Sequence, residues 1–270
     1  MSFSLRILRL YAAFLFFGLS IVAYGQEHGL QLSIDLSKNR FLLSEPIWLD
    51  ATLTNDSQKS VRIYGFFPPC QGPFTVELKD SAGNIIPYTG PQYDMTPNPG
   101  LILDPGEYYY GCFNLLELFN KGRGLLHHIW GELPIGHYFL KATYQDLPSA
   151  QCEFDIIAPS GNEVAPYQLL QDAFAARRKR QPDVHNRKLR EIVDTFPNSV
   201  YAEKALRELF EDETLLNRFP NSGYTERCIM SLTRELDSSS KKAFLEEVKR
   251  TEANSRSAKF AEQMLKWPTN

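Results

Sequence analysis

From Leu30 onward, apolar side chains fall on every second position. Leu30, Leu32, Ile34 and Leu36 form one series, and Ile47, Leu49, Ala51 and Leu53 form the next. Val61 and Ile63, then Phe74, Val76 and Leu78, continue the pattern. Tyr138, Leu140, Ala142 and Tyr144, and finally Cys152, Phe154 and Ile156, complete it. Side chains of a strand alternate between its two faces, so a period of two predicts half-buried strands. Turn words separate the series: Ser44-Glu45-Pro46, Asn55-Asp56-Ser57, Asp80 to Asn84, and Asp104-Pro105-Gly106-Glu107. Each supplies Pro, Gly or Asn where the backbone must reverse. About seven short strands, with no room for crossover helices, predict an antiparallel sandwich of two sheets. Tyr108, Tyr109, Tyr110 and Phe113, followed by Leu115, Leu116, Leu118 and Phe119, read as a strand covered on both faces that enters a short helical turn. An aromatic surface for a partner is the alternative there.

Beyond Ala158-Pro159-Ser160-Gly161-Asn162 the period changes. Tyr167, Leu170, Gln171 and Phe174 keep a helical spacing, as do Leu189, Ile192, Val193 and Phe196. Ala202, Ala205, Leu206 and Leu209 repeat it at i, i+3, i+4 and i+7, the stripe of an amphipathic helix. One phrase occurs twice in this half, Phe196-Pro197-Asn198-Ser199-Val200-Tyr201 and Phe219-Pro220-Asn221-Ser222-Gly223-Tyr224, with the copies 23 residues apart. Pro ends the preceding helix, and Asn or Ser accepts a bond from the first free N–H groups of the next. Asn254-Ser255, before Ala258, Phe260, Ala261 and Leu265, reads as a worn third copy. Fixed-period similarity means stacked units, none able to bury its apolar face alone. On this reading Phe196, Pro197, Ser199, Tyr201, Phe219, Pro220, Ser222 and Tyr224 are structural junctions, and function is expected on the helix faces between them.

Two resemblances rest on these words. Ser44-Glu45-Pro46-Ile47-Trp48-Leu49, Leu53-Thr54-Asn55, Asp80 to Asn84, Leu103-Asp104-Pro105-Gly106-Glu107 and Leu133-Pro134-Ile135-Gly136-His137-Tyr138 stand in a familiar order. That order resembles bacterial immunoglobulin-like domains of the intracellular-proteinase-inhibitor type, across most of residues 30–157. The repeated phrase resembles the helix junction of tetratricopeptide-like repeats in bacterial envelope proteins, over residues 184–235. Its spacing of 23 is shorter than the usual ~34, so each unit is one long helix or two clipped ones. The resemblances imply an all-β immunoglobulin-like sandwich followed by an all-α helical-repeat domain, a solenoid that binds a peptide or packs on another protein. They imply no catalytic residue.

Charge supports the same division. Residues 26–160 hold 8 Lys+Arg against 15 Asp+Glu, while residues 161–270 hold 19 against 17. Of the 17 Pro, 12 fall in the first part. The N-terminus stands apart: Arg6 and Arg9 precede an apolar run from Leu10 to Ala23, and Ala23-Tyr24-Gly25 places small residues at −3 and −1 before Gln26. This is the anatomy of a secretory signal peptide; an uncleaved anchor is the alternative, though the run is short for a bilayer span. No Cys follows the run, so the lipoprotein acylation signal is missing. The expected organisation is 1–25 signal peptide, 26–158 sandwich, 159–162 linker and 163–270 helical repeats, in a periplasmic or secreted protein.

Candidate chemistry is sparse. The four Cys are at 70, 112, 152 and 228, and an oxidising compartment permits disulfides. Cys70 with Cys112 is the preferred pair, Cys112 with Cys152 the alternative, and Cys228 takes the apolar place of Ala205 in the aligned repeat. His127 and His128 are neighbours whose side chains would leave a strand on opposite faces, which argues against a shared metal ion. Nucleophile elbows, zinc-protease helices and phosphate loops do not occur. Arg177, Arg178, Lys179, Arg180, Arg187, Lys188 and Arg190 form the one basic run, read either as a solvated helix end or as a contact surface for anionic lipid or the acidic first part. Export argues against nucleic acid. The expected function is therefore a non-enzymatic binding or scaffold protein of the bacterial envelope, with no cofactor, whose repeats dock a protein or peptide partner. A protease inhibitor acting through the loop Phe66 to Phe74 is the first alternative, and a hydrolase with a site at the domain joint is the second.

Overall fold

The computed structural model describes residues 29–64, 72–90, 100–119, 132–251 and 253–267. The signal-peptide segment lies outside them. Strand β3 (Trp48–Asn55) sits between β1 (Leu30–Leu36) and β8 (Tyr108–Asn114), antiparallel to both. Its alternation sends the fully buried Leu49, Ala51 and Leu53 to one face and Trp48 and Asp50 to the other. The inward face meets a second sheet in the order β2 (Arg40–Leu42), β11 (Cys152–Ile157), β9 (Gly136–Tyr144), β5 (Phe74–Asp80), β6 (Ile85–Ile86), with β10 (Leu147–Pro148) paired to β9. A two-stranded ribbon, β4 (Val61–Ile63) and β7 (Leu101–Leu103), completes the strands among the described residues. Phe41, Phe74, Leu78, Leu140, Ala142 and Phe154 share one core with Leu49, Ala51 and Leu53. The pairing is antiparallel except for β2, which runs parallel to β11. The aromatic run is indeed a strand, β8, leading straight into a one-turn helix, α1 (Leu115–Leu118), whose end is sealed by the Asn114 side chain accepting from Leu116 N–H at 3.1 Å.

After a 3₁₀ turn at Gly161–Glu163, seven helices follow among the described residues: α2 (Val164–Arg178), α3 (Pro182–Thr195), α4 (Ala202–Glu208), α5 (Asp212–Arg218), α6 (Thr225–Thr233), α7 (Ser238–Thr251) and α8 (Arg256–Lys266). Each packs on its sequence neighbours, and α8 also lies on β8. None is long and apolar enough to cross a membrane among the described residues. The 23-residue unit proves to be two clipped helices, α4 and α5, of seven residues each. In the repeated phrase the serine hydroxyls accept from Tyr201 N–H at 3.1 Å and Tyr224 N–H at 3.0 Å, and Ser255 caps α8 by accepting from Ala258 N–H at 3.1 Å. Successive copies are tied together. Arg218 donates to the Pro197 carbonyl at 2.7 Å, and Ser257 N–H donates to the Pro220 carbonyl at 3.0 Å.

The chain is an α and β protein, with its strands before its long helices, but it is not an all-β body beside an independent all-α one. Trp48 and Tyr110 leave the strands to join the helical core with Leu206, Ile229 and Phe260. In return Trp267, beyond α8, packs against the strand core. The phrases lie along this seam. Tyr201 Oη donates to the Leu43 carbonyl at 2.9 Å, and Asn114 Nδ2 donates to Tyr224 Oη at 3.3 Å. The Trp48 ring meets Tyr224 edge-on, with centroids 4.7 Å apart. A Cβ added at Gly223 would stand 2.2 Å from the Trp48 ring, so the second copy carries Gly where the first carries Val200.

Charged residues lie in the seam. Asp50 accepts from Arg256 through both oxygens, at 2.8 and 2.6 Å, and also accepts from Tyr110 Oη. The side chains of Arg256 and Asp50 are only 8% and 18% exposed, so each charge depends mainly on the other rather than on water. Glu203 accepts from Trp48 Nε1 at 2.9 Å and from Ser222 Oγ at 2.7 Å. Burial raises the Glu203 carboxyl to about 7, against these hydrogen bonds, which lower it. Lys204 beside it is lowered to about 8 by burial, opposed by Glu208, Glu132 and Glu117.

Removing one partner of a buried ion pair leaves the other uncompensated. Asp50→Ala is expected to cost about 3–5 kcal/mol in urea unfolding, whereas Glu247→Ala, which breaks the exposed pair with Arg250, is expected to leave the urea midpoint nearly unchanged. Equal losses would show that the seam pair is not structural.

Glu203 gives a second test. Its folded value lies near 7 against an ordinary 4.5, so the folded chain holds a proton that the unfolded chain releases over that window. Stability from this group is complete below 4.5 and is lost as pH rises through 7. Glu203→Gln keeps an acceptor for Trp48 and Ser222 and cannot ionise. Its melting temperature is expected to decline less than the parent's across this window; parallel declines would refute the assignment.

Candidate functional site

The helix ends α2 and α4 are shaped alike. After α2, Arg180 N–H bonds the Arg177 carbonyl at 2.9 Å and Gln181 N–H bonds Ala176 at 3.0 Å. After α4, Phe210 N–H bonds Arg207 at 3.3 Å and Glu211 N–H bonds Leu206 at 3.1 Å. This pair of bonds is the Schellman ending, which places one residue in the left-handed region and favours glycine there. Here the residues are Arg180, φ +57°, and Phe210, φ +58°. A residue with a Cβ is disfavoured there by about 1 kcal/mol.

Both turns open onto one cleft of about 540 Å³. Its walls come from the end of α2, the start of α3, the end of α4, Tyr224, Arg227 of α6 and, from the strand part, Glu117 of α1. Four arginines line it: Arg177, Arg180, Arg207 and Arg227. Two are matched by acids, Arg177 with Glu208 at 2.8 Å and Arg227 with Glu117 at 3.5 Å. Arg180 and Arg207 make no ion pair among the described residues. The Arg207 guanidinium instead stacks over two rings, 5.6 Å from the Phe210 centroid and 6.0 Å from that of Tyr224. A guanidinium held on aromatic faces keeps its in-plane N–H groups available for an anion. Burial raises the carboxyls of Glu117 and Glu208, with Arg227 and Arg177 respectively opposing it most strongly. The Tyr224 hydroxyl is pushed far up, chiefly by burial. His185 completes the wall, with Nδ1 2.9 Å from the Ala173 carbonyl. Phe210 stands at the mouth with 77% of its surface exposed.

The basic run divides when placed on the structure. Arg177 pairs with Glu208, Arg190 with Glu211, and Lys188 lies 3.6 Å from Glu191. Arg180 joins the cleft, while Arg178, Lys179 and Arg187 are exposed and make no ion pair among the described residues. The junction residues go to the seam instead. Ser199, Tyr201, Ser222 and Tyr224 are buried, Phe196, Phe219 and Pro220 are half-buried, and Pro197 is exposed. The phrase is therefore more than helix punctuation, because Tyr224 meets Trp48 of β3 and Asn114 of β8, and Tyr201 reaches the Leu43 carbonyl just beyond β2. Cys112 is a free thiol, as are Cys152 and Cys228, so neither proposed disulfide forms at these residues. Cys112 lies beside Asp50 and Tyr110, where burial holds its thiol well above the ordinary range. Cys70, His127, His128 and most of the loop Phe66 to Phe74 fall outside the described residues. No group of three or more His, Cys, Asp or Glu among the described residues is arranged to hold a metal ion.

Arg207 and Phe210 escaped the sequence reading. Phe210 is the place where the stripe Ala202 to Leu209 should have stopped, and an aromatic directly after a helical stripe, where Gly is the common residue, is the signal that was available.

No family model matches the chain, and no curated protein matches it. Solved structures with partial likeness include a β-glucosidase from Listeria innocua in complex with glucose, at 16% identity and TM-score 0.31, covering 49% of this chain and 17% of that one. The alkylpurine DNA glycosylase AlkC of Pseudomonas fluorescens, bound to DNA, matches at 11% identity and TM-score 0.28, covering 48% and 31%. A CARDB domain from Pyrococcus furiosus, in complex with di-metal ions, matches at 11% identity and TM-score 0.26, covering 47% and 87%. At these scores the likenesses establish neither a fold family nor an activity.

Proposed function

We propose that this protein is an exported, non-enzymatic binding or scaffold protein of the bacterial envelope, whose helical repeats dock a protein partner. The observation that carries this reading is the seam. Buried Trp48, Tyr110 and Arg256, with the half-buried Asp50, fix the helices on the strands, so the chain offers a partner one rigid composite surface. Rigid presentation lowers the ordering cost of association. The strand part is read as immunoglobulin-like, with β1-β3-β8 opposed to β2-β11-β9-β5-β6, and the helices as tetratricopeptide-like. Met230 and Leu236, 49% and 40% exposed, are the apolar side chains available on the second unit for such a partner.

A hydrolytic reading has one observation in its favour, the meeting of His185, Glu117 and Glu208 in the cleft. Against it, both carboxylates are engaged by arginines, and the lining contains no Ser, Thr or Cys nucleophile.

A photo-crosslinking side chain at Met230 or Leu236 is expected to trap a discrete partner in envelope preparations, while the same group at Ile102 on the strand ribbon traps none. Equal patterns at all three positions would remove the docking reading. Export has a separate test. The mature chain recovered from cells is expected to begin at Gln26, and a chain that retains Met1 in the cytoplasmic fraction would end the envelope assignment.

A further inference from the structure

The partner reading leaves the cleft and the unpaired part of the basic run unused. These features lie together. Arg180 and Arg207 line the cleft without an ion pair among the described residues, although the Arg207 charge acts on Glu117 and Glu208, and Arg207 is oriented by Phe210 and Tyr224. Arg178, the last residue of α2, and Lys179, which caps it, directly precede Arg180 and are exposed; Arg187 follows Asn186, which lines the cleft. At the mouth is Phe210, held outward on a turn where glycine would carry no strain. An exposed aromatic ring in contact with the Arg207 guanidinium, sharing its recess with Arg180, matches the boundary of an anionic bilayer. There, basic side chains meet phosphates and aromatic rings sit among headgroups. Glu117 and Glu208 in the same recess would repel a segment carrying many carboxylates, whereas one phosphate needs only the two unpaired arginines.

We propose that the mouth of this cleft is a contact site for an anionic phospholipid surface, with Arg180 and Arg207 taking the headgroup phosphate and Phe210 entering the interface. The contact is peripheral and reversible, since one ring and about five cations do not anchor a protein permanently. It is also independent of protein docking at Met230 and Leu236, so either can fail without the other.

The test is co-sedimentation of the full mature chain with phosphatidylcholine vesicles, with or without phosphatidylglycerol. Binding is expected only with phosphatidylglycerol and should weaken as salt is added. Removing one cation is worth about fivefold in lipid affinity, so Arg180→Glu, which reverses a charge, is expected to weaken binding by more than tenfold. Phe210→Gly is expected to weaken binding while melting at the same or a higher temperature, because it removes both the ring and the strain. That combination separates a contact role from a structural one. Lys141→Glu, on the distant six-stranded sheet, should change nothing. Equal binding to neutral vesicles, or unchanged binding in both cleft variants, would overturn the proposal. So would capture of polyglutamate or free inorganic phosphate by a chain that ignores the vesicles.

Discussion

A carboxylate on the outer face of a sheet usually faces water, and Asp50 does not. Because β3 alternates, the strand that sends Leu49, Ala51 and Leu53 into the strand core must present Trp48 and Asp50 on its opposite side. Once α8 covers that side, Asp50 needs an ionic partner, and Arg256 at the first position of α8 supplies a two-pronged one. The pair fixes the position of α8 against the strands. Tyr110 bonds the same carboxylate and packs on Phe260 with centroids 5.1 Å apart, so the apolar and ionic parts of the seam share residues. Such a pair costs desolvation and adds little net stability, but it penalises any other seating of the helix. The rest of the helical layer inherits that seating through the links between successive phrases.

The repeated phrase gains its meaning from this seat. A helix junction needs a stop, a cap and some packing, which Pro, Ser and Tyr supply in any repeat array. Here the same serines also donate to carboxylates of the preceding unit, Ser199 to Glu163 at 2.6 Å and Ser222 to Glu203 at 2.7 Å. The tyrosines reach past their own helices to the strand part. Copy and variation are both explained. Ser and Tyr recur because each unit meets the strands, and Val200 becomes Gly223 because only the second unit passes beneath the Trp48 ring.

Strand alternation and helix stripes were legible because each is a local record of which face is buried; the last described strand ends at Ile157 and the long helices begin at Val164. The seam was not legible. Trp48, Asp50 and Arg256 are ordinary in their own windows, and only the fold brings residues 206 positions apart together. Cys112 misled for a related reason. An oxidising compartment permits a disulfide there, but the thiol is free and its neighbours prove to be Asp50 and Tyr110. The basic run was visible as charge, yet charge along a helix does not reveal which members acids will neutralise. Arg177 and Arg190 are matched by Glu208 and Glu211, about twenty to thirty residues further on, and the remaining cations become distinct only after that subtraction.

That subtraction also separates the two polar regions of the molecule. In the seam, donors and acceptors are matched, and among the described residues no buried side-chain nitrogen or oxygen lacks a partner. A finished network of this kind specifies structure and leaves little to offer a ligand. The cleft is built from the same residue types and is left unfinished. Two of its arginines make no ion pair among the described residues, and the two turns at its edge hold Arg180 and Phe210 in a conformation glycine would adopt without strain. Strain and unmatched charge are each removable by a single substitution elsewhere in a fold. Their coincidence at one concave site, beside a highly exposed aromatic ring, distinguishes a place built to meet another molecule from one built to hold the chain together.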